Sequence, residues 1–147
     1  MRGMNHVGDE PCLRTVGGVP ASLCDLRYLD VGLDDNWQLC GEYGDEGYNF
    51  HDDEGTHIVN TEHFPCMKAM TDYAHDLGLT ASWYGNNCIC AESKTQNEKF
   101  YQGDVKALIS FGFDGVKLDG CSSQLDLQLY DNLIKATGKA IVVENCY

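Results

Sequence analysis

From residue 26 onward, the sequence alternates between short apolar runs and segments with helical periodicity. Four runs rich in branched residues predict strands, at residues 26–33, 79–84, 115–119 and 140–143. Three intervening segments carry apolar residues every three or four positions, which predicts helices. A glycine after each helical segment, at Gly78, Gly112 and Gly138, marks its expected end. Strict alternation of strand and helix predicts parallel strands joined by right-handed crossovers.

The helical segments are predicted from particular apolar stripes. The first helix follows Phe64-Pro65, and the second covers roughly residues 97–111. The third is expected to be capped by Ser122 or Ser123. The stripes consist of Met67, Met70, Ala74 and Leu77, then Tyr101, Val105, Leu108 and Phe111, then Leu125, Leu129 and Leu133.

Two α/β architectures fit this pattern, an open doubly wound sheet and a closed (β/α)8 TIM barrel. An open sheet usually carries a glycine-rich phosphate loop, and neither GxGxxG nor a P-loop occurs, so no cofactor is predicted. Polar or aromatic residues follow every strand, and in a barrel they would converge on one pocket. We therefore predict a partial (β/α)8 barrel with about four βα units at residues 26–147, after a poorly defined segment at 1–25. The polar or aromatic residues at the strand ends are Asp34, Asp35, Tyr84, Asn86, Lys117, Asp119, Glu144 and Asn145.

Length and charge limit the possible classes of protein. A whole barrel needs about 250 residues, whereas this chain has 147, so we expect an incomplete barrel with open sheet edges. The formal net charge of −13 repels phosphate backbones and argues against a nucleic-acid partner. No apolar run is long enough to span a membrane, and the first 20 residues lack the apolar block of a signal peptide.

Cysteines and histidines bear on disulfides and metals. Eight cysteines favour disulfides over free buried thiols or a metal site, and the closest pair, Cys88-x-Cys90, is a weak metal signal. The histidines show no HExxH or similar spacing, so we expect them in loops or on the surface and predict no metal site. Residues 40–63 are expected to form a long loop. The histidines are His6, His51, His57, His63 and His75.

Two residues of the third strand carry the clearest chemistry. Lys117 and Asp119 are two positions apart, so their side chains point to the same side. The ammonium group favours the ionised carboxylate, the state that a glycosidase nucleophile needs. The alternative is a purely structural ion pair.

Asp34-Asp35-Asn36-Trp37 combines carboxylates with an aromatic ring directly after the first strand. Carboxylates can hold sugar hydroxyls and an indole can cover a sugar ring, but Asp and Asn are also common in turns. Tyr84 ends the second strand and fits a core position as well as a ligand contact.

Taken in order, four segments resemble one family, the melibiases of glycoside hydrolase family 27, which includes α-galactosidases and α-N-acetylgalactosaminidases. The segments are residues 28–37, residues 64–69, residues 78–84 and residues 115–121. The resemblance implies a retaining α-galactosidase whose nucleophile is Asp119. It implies sugar contacts for Asp34, Asp35, Trp37, Tyr84 and Lys117.

The resemblance carries further expectations. It places the acid/base carboxyl beyond residue 147, so this chain alone is expected to be inactive. Cys121 is expected to form a disulfide with Cys90 or Cys88. A secreted, lysosomal or vacuolar location and a homodimer of the full-length parent are also implied. Asn36 and Asn86 depart from the family, standing where many members have cysteine and aspartate.

Three alternatives stay open at this point. The parent could be an α-N-acetylgalactosaminidase, or a non-catalytic galactose-binding paralogue that uses Asp34, Asp35 and Trp37. A cysteine-rich redox or metal module built on Cys88-x-Cys90 is the third.

Overall fold

The computed structural model describes residues 14–16, 19–41, 49–85, 90, 92, 98–120 and 124–146. In chain order the elements are β1 (Arg14–Val16), β2 (Val19–Ala21), β3 (Asp30–Gly32), α1 (Met67–Asp76), β4 (Thr80–Tyr84), α2 (Glu98–Phe111), β5 (Gly115–Asp119), α3 (Leu127–Ala136) and β6 (Val142–Cys146). None of the described helices is long and apolar enough to cross a membrane.

The principal sheet has four parallel strands in the order β3-β4-β5-β6, as the alternating pattern predicts. The strand order follows the chain order without reversal, which is consistent with part of a barrel. The structure thereby confirms a parallel α/β fold, while closure into an eight-stranded barrel stays a prediction.

The two faces of this sheet differ in character. On one face Ala81, Trp83, Val116 and Leu118 are buried in a hydrophobic core that also contains the inner sides of the three helices. The opposite face carries Gly32, Ser82, Tyr84, Lys117 and Asp119, as the strand registers and the side-chain alternation require. We call this opposite side the polar face.

Helix ends follow the sequence closely. Gly78, Gly112 and Gly138 all have positive φ angles directly after the helices or their caps, which confirms them as stop signals. Cys66 caps α1 by accepting a hydrogen bond from the Ala69 N–H.

The third helix corrects two predictions. Its N-cap is Asp126, whose carboxylate accepts from the Leu129 N–H at 3.0 Å, so neither Ser122 nor Ser123 serves as its cap. Leu125 precedes the helix and is exposed, while Tyr130 and Ile134 are the buried positions.

The first strand is shorter than predicted. Residues 22–27 form hydrogen-bonded turns, with the Arg27 N–H donating to the Cys24 carbonyl, and only Asp30–Gly32 pairs with β4. The last strand begins two residues later than expected and reaches Cys146. The segment before residue 26, expected to lack definition, contains the antiparallel pair β1 and β2.

Both ends of the principal sheet are open within the part of the chain that the structure describes. The edge strands are β3 and β6, and on β6 the side chains of Val142 and Val143 are 71% and 41% exposed. This is the open, partly apolar edge that an incomplete barrel predicts.

Candidate functional site

The carboxyl ends of β4 and β5 bring three predicted site residues together on the polar face. Tyr84 lies opposite Lys117 in the parallel register, and Asp119 follows one pleat further along β5. Val116 and Leu118 alternate with them and are buried on the other face, which anchors β5 and fixes the direction of both charged side chains.

Asp119 is the centre of this group. Its Oδ2 accepts a 3.2 Å hydrogen bond from the Tyr84 hydroxyl and lies 4.0 Å from Lys117 Nζ. Its Oδ1 accepts from the Gly120 N–H at 2.8 Å. Lys117 Nζ also lies 5.2 Å from the centre of the Tyr84 ring, within the range of a cation–π contact. The carboxylate side chain keeps 30% of its exposure, so a ligand can reach it.

Asp34 joins the group from the segment after β3. Its Oδ2 lies 3.6 Å from Lys117 Nζ, and its side chain is 77% exposed. The backbone N–H of Asp35 bonds to Asp34, and that of Asn36 bonds to Asp35, while Asn36 adopts a positive φ of 90°. The segment is a turn, as one interpretation predicted, and this turn places Asp34 beside Lys117.

Tyr84 is held in its protonated form. Burial is the largest cause that raises the pKa of its hydroxyl, and the nearby carboxylates of Asp119, Asp35 and Asp34 raise it further. The phenol therefore acts as a hydrogen-bond donor to Asp119 at any ordinary pH.

Trp37 does not lie with these residues. Its side chain is fully buried, and its ring contacts Phe50, His57 and Trp83. Its indole N–H donates to the Tyr84 carbonyl at 2.9 Å. Trp37 therefore braces the backbone of Tyr84 from the core instead of offering a surface on which a sugar ring could stack.

Curated proteins similar to this chain are glycosidases. An alpha-galactosidase of Oryza sativa is 29% identical over 87% of this chain, and one of Cyamopsis tetragonoloba is 30% identical over 71%. An alpha-N-acetylgalactosaminidase of Gallus gallus is 29% identical over 80% of the chain. The chain is similar to α-galactosidases. This similarity supports placing the chain in a melibiase-like family of glycosidases.

The matches cover only part of those glycosidases, 30%, 24% and 29% of their own lengths in the same order. No protein-family model matches the chain, and no solved structure matches it.

The disulfide differs from the pairing that the melibiase resemblance implies. Cys90 is bonded to Cys40, 50 residues earlier, so Cys90 is not available for Cys121. This confirms a disulfide and corrects its partner. The other implied pairing, between Cys88 and Cys121, lies outside the described residues, as does Asn86.

A second polar cluster was missed by the sequence reasoning. His51 and His57 lie outside the named helices and strands, in the expected loop, but His51 is 1% exposed and the side chain of His57 is 2% exposed, so neither is a surface residue. Both rings contact the buried carboxylate of Asp104 on α2. His63 is exposed, as expected, and the part-exposed side chain of His75 pairs with Asp114; His6 lies outside the described residues.

Charge in this cluster follows from its contacts. Burial alone would lower the pKa of His51, but Asp104 and Glu92 outweigh it and raise the pKa to about 9. Burial lowers the pKa of His57. For Asp104, burial acts to raise the pKa, yet the two histidines bring it down to about 2. The one sequence signal was the six-residue spacing of His51 and His57, which face each other across an antiparallel bridge.

Proposed function

We propose that this chain provides the nucleophile and the galactose contacts of a retaining α-galactosidase. The observation that carries the proposal is the position of the Asp119 carboxylate, between the Tyr84 hydroxyl and the Lys117 ammonium group on the polar face. Curated relatives named as alpha-galactosidases add independent support.

The proposed reaction uses two carboxyl groups. An oxygen of Asp119 attacks the anomeric carbon, the bond from that carbon to the aglycone oxygen breaks, and a general acid protonates the departing oxygen. Water deprotonated by the same acid/base residue then attacks the anomeric carbon, breaks the ester bond to Asp119 and releases galactose with retained configuration. The resemblance to melibiases places the acid/base residue beyond residue 147, and the whole reaction belongs to the full-length parent.

Neighbouring side chains suit the first step. A donated phenol hydrogen bond and a nearby ammonium group hold the carboxylate in a fixed orientation. The exposed Asp34, together with Asp35, provides acceptors for sugar hydroxyls next to Lys117. Trp37 has no direct sugar contact in this proposal because it is buried.

Covalent labelling of the natural protein that carries this chain tests the proposal. An epoxide with the α-galactose configuration should esterify the nucleophile, and peptide mass spectrometry should find the label on Asp119. Asp119→Asn should abolish labelling and the hydrolysis of p-nitrophenyl α-galactoside. Asp131→Asn is the matched control, because Asp131 lies on α3 in an exposed ion pair with Lys135.

Each outcome separates the remaining alternatives. A label on a different carboxylate, or full activity in Asp119→Asn, would refute the nucleophile. Galactose binding without turnover in the unmodified protein would favour the non-catalytic paralogue. Faster turnover of the corresponding α-N-acetylgalactosaminide would assign the chain to the activity named for the Gallus gallus relative.

A further inference from the structure

Three buried side chains from two separate elements converge on one point. His51 and His57 face each other across an antiparallel bridge, so their side chains leave the same face of the hairpin. Each Nε2 atom lies against Oδ1 of Asp104, at 3.0 Å for His51 and 2.5 Å for His57. The potential ligand atoms of the three residues lie within 4.8 Å of one another.

We propose that His51, His57 and Asp104 bind one divalent transition-metal ion, with zinc as the best match. Two imidazole nitrogens and one carboxylate oxygen are a frequent zinc donor set, and water can complete the tetrahedron. Zinc bonds of about 2.0–2.1 Å place neighbouring donors about 3.3 Å apart. The separations of the two histidine nitrogens from Asp104 Oδ1 would therefore lengthen by less than about 1 Å, while the two histidine donors already lie within 4.8 Å of each other.

The outer contacts have the form that metal sites use. Glu92 accepts from Nδ1 of His51 at 2.8 Å, so an ion that displaces the proton between Nε2 and Asp104 would meet a ring already held in orientation. Oδ2 of Asp104 accepts from Gln124 Nε2 and from the Tyr130 hydroxyl, so the ligating carboxylate is itself held in orientation.

His57 borders the space from which a cation could reach the cluster. Its Nδ1 is buried and has no hydrogen-bond partner among the described residues, so Nε2 makes the ring's one polar contact. His57 also lines a cleft of about 620 Å³ between residues 54–61 and α2. This cleft provides a route for the ion to the buried donors.

The site is separate from the polar face. His57 packs against Trp83, whose side chain lies on the opposite side of β4 from Tyr84. The hairpin sits tightly on α2 at this point, since a Cβ added at Gly103 would lie 1.7 Å from the Gly55 carbonyl oxygen. A bound ion would therefore link the hairpin of residues 51–57 to α2 and stabilise the fold instead of taking part at Asp119.

Zinc binding by the full 147-residue chain tests this proposal directly. The chain should be free of affinity tags and have its free thiols alkylated, because Cys24, Cys66 and Cys146 could otherwise bind zinc. Equilibrium dialysis followed by elemental mass spectrometry should give one zinc per chain. The Tm should rise with zinc concentration and stay unchanged with magnesium.

Variants locate the ion. His57→Gln removes one ligand and should eliminate the stoichiometric zinc, whereas His63→Gln, an exposed histidine nearby, should bind like the unmodified chain. Glu92→Gln should weaken binding by about 10- to 100-fold, the usual effect of losing an outer carboxylate. If His57→Gln does not fold, Glu92→Gln makes the same distinction.

Two results would overturn the site. One is an alkylated, folded chain that binds no zinc; this would show that the cluster is a hydrogen-bonded network only. The other is zinc that persists equally in both His57→Gln and Glu92→Gln, which would place the ion elsewhere. Neither readout depends on glycosidase activity, so the metal proposal and the function proposal can fail independently.

Discussion

Tyr84 and Asp119 stand on neighbouring parallel strands, and the Tyr84 hydroxyl donates a 3.2 Å hydrogen bond to Oδ2 of Asp119. The phenol is buried up to its hydroxyl, and its backbone carbonyl accepts from the indole of Trp37. The orientation of the proposed nucleophile therefore depends on the core as well as on the strand ends.

Replacement of Tyr84 by phenylalanine should lower kcat/KM of the full-length parent towards an α-galactoside. A hydrogen bond to a charged group contributes about 1.5–3 kcal/mol, which corresponds to a loss of about 10- to 100-fold in rate. Steady-state kinetics measure the effect. Tyr73→Phe, on an exposed aromatic of α1, is the matched control and should be neutral. Unchanged kcat/KM in Tyr84→Phe would remove Tyr84 from the proposed site.

Trp37 should behave as a core residue. Its ring is fully buried against Trp83, with ring centres 4.9 Å apart. Trp37→Ala should reduce the free energy of unfolding by about 3–5 kcal/mol. Urea denaturation of the chain provides the measurement, and Tyr73→Ala, at an exposed position, should change it by less than about 0.5 kcal/mol. A small loss of stability in Trp37→Ala would instead support an accessible ring that stacks on a sugar.

Much of the fold could be predicted because local patterns determine it. The run Gly115–Asp119 is both the predicted and the observed strand. The strand begins at Gly115, and apolar Val116 and Leu118 alternate with charged Lys117 and Asp119, which fixes the face to which each side chain points. The third helix shows the limit of such patterns. Leucines at 125, 129 and 133 have helical spacing, yet the Asp126 carboxylate caps the chain one residue after Leu125 and starts the helix there.

The candidate site was predictable where side chains follow strand ends, as at Tyr84, Lys117 and Asp119. Trp37 and the two buried histidines were not, because their environments depend on partners far away in sequence. His57 meets Asp104 across 47 residues, and Trp37 meets the Tyr84 carbonyl across the same separation. No short-range pattern reports such contacts.

Asp114 should make stability depend on acid pH. Its Oδ2 accepts from the Ala81 N–H at 2.9 Å and from His75 at 2.8 Å, which joins β4 and α1 to the start of β5. Burial acts to raise the pKa of Asp114, but the Ala81 N–H and His75 outweigh it and hold the pKa below its usual 3.8. The stabilisation is therefore complete above the unfolded-state pKa and is lost as the pH falls through the lower folded-state value.

Asp114→Ala should reduce the free energy of unfolding at neutral pH by about 1 kcal/mol, a modest value because the pair is partly exposed. The difference in the free energy of unfolding between Asp114→Ala and the unmodified chain should become smaller below about pH 4. Urea titrations over a pH series measure this. Asp131→Ala, in an exposed pair on α3, should cost less than about 0.5 kcal/mol. A gap that is independent of pH would show that packing and not charge is responsible.

The Cys40–Cys90 disulfide should be detectable and stabilising. Non-reducing digestion should release a peptide pair that joins Cys40 to Cys90, whereas the resemblance to melibiases implies that Cys121 is joined to Cys90 or Cys88. Closing a loop of about 50 residues lowers the conformational entropy of the unfolded chain, which can raise the free energy of unfolding by up to about 4 kcal/mol. Measured stabilisation by a disulfide is typically about 2–4 kcal/mol. The double variant Cys40→Ser/Cys90→Ser should lose that much stability in denaturant titrations. Cys146→Ser, at an exposed free thiol, is the matched control, and a Cys90–Cys121 peptide would refute the pairing.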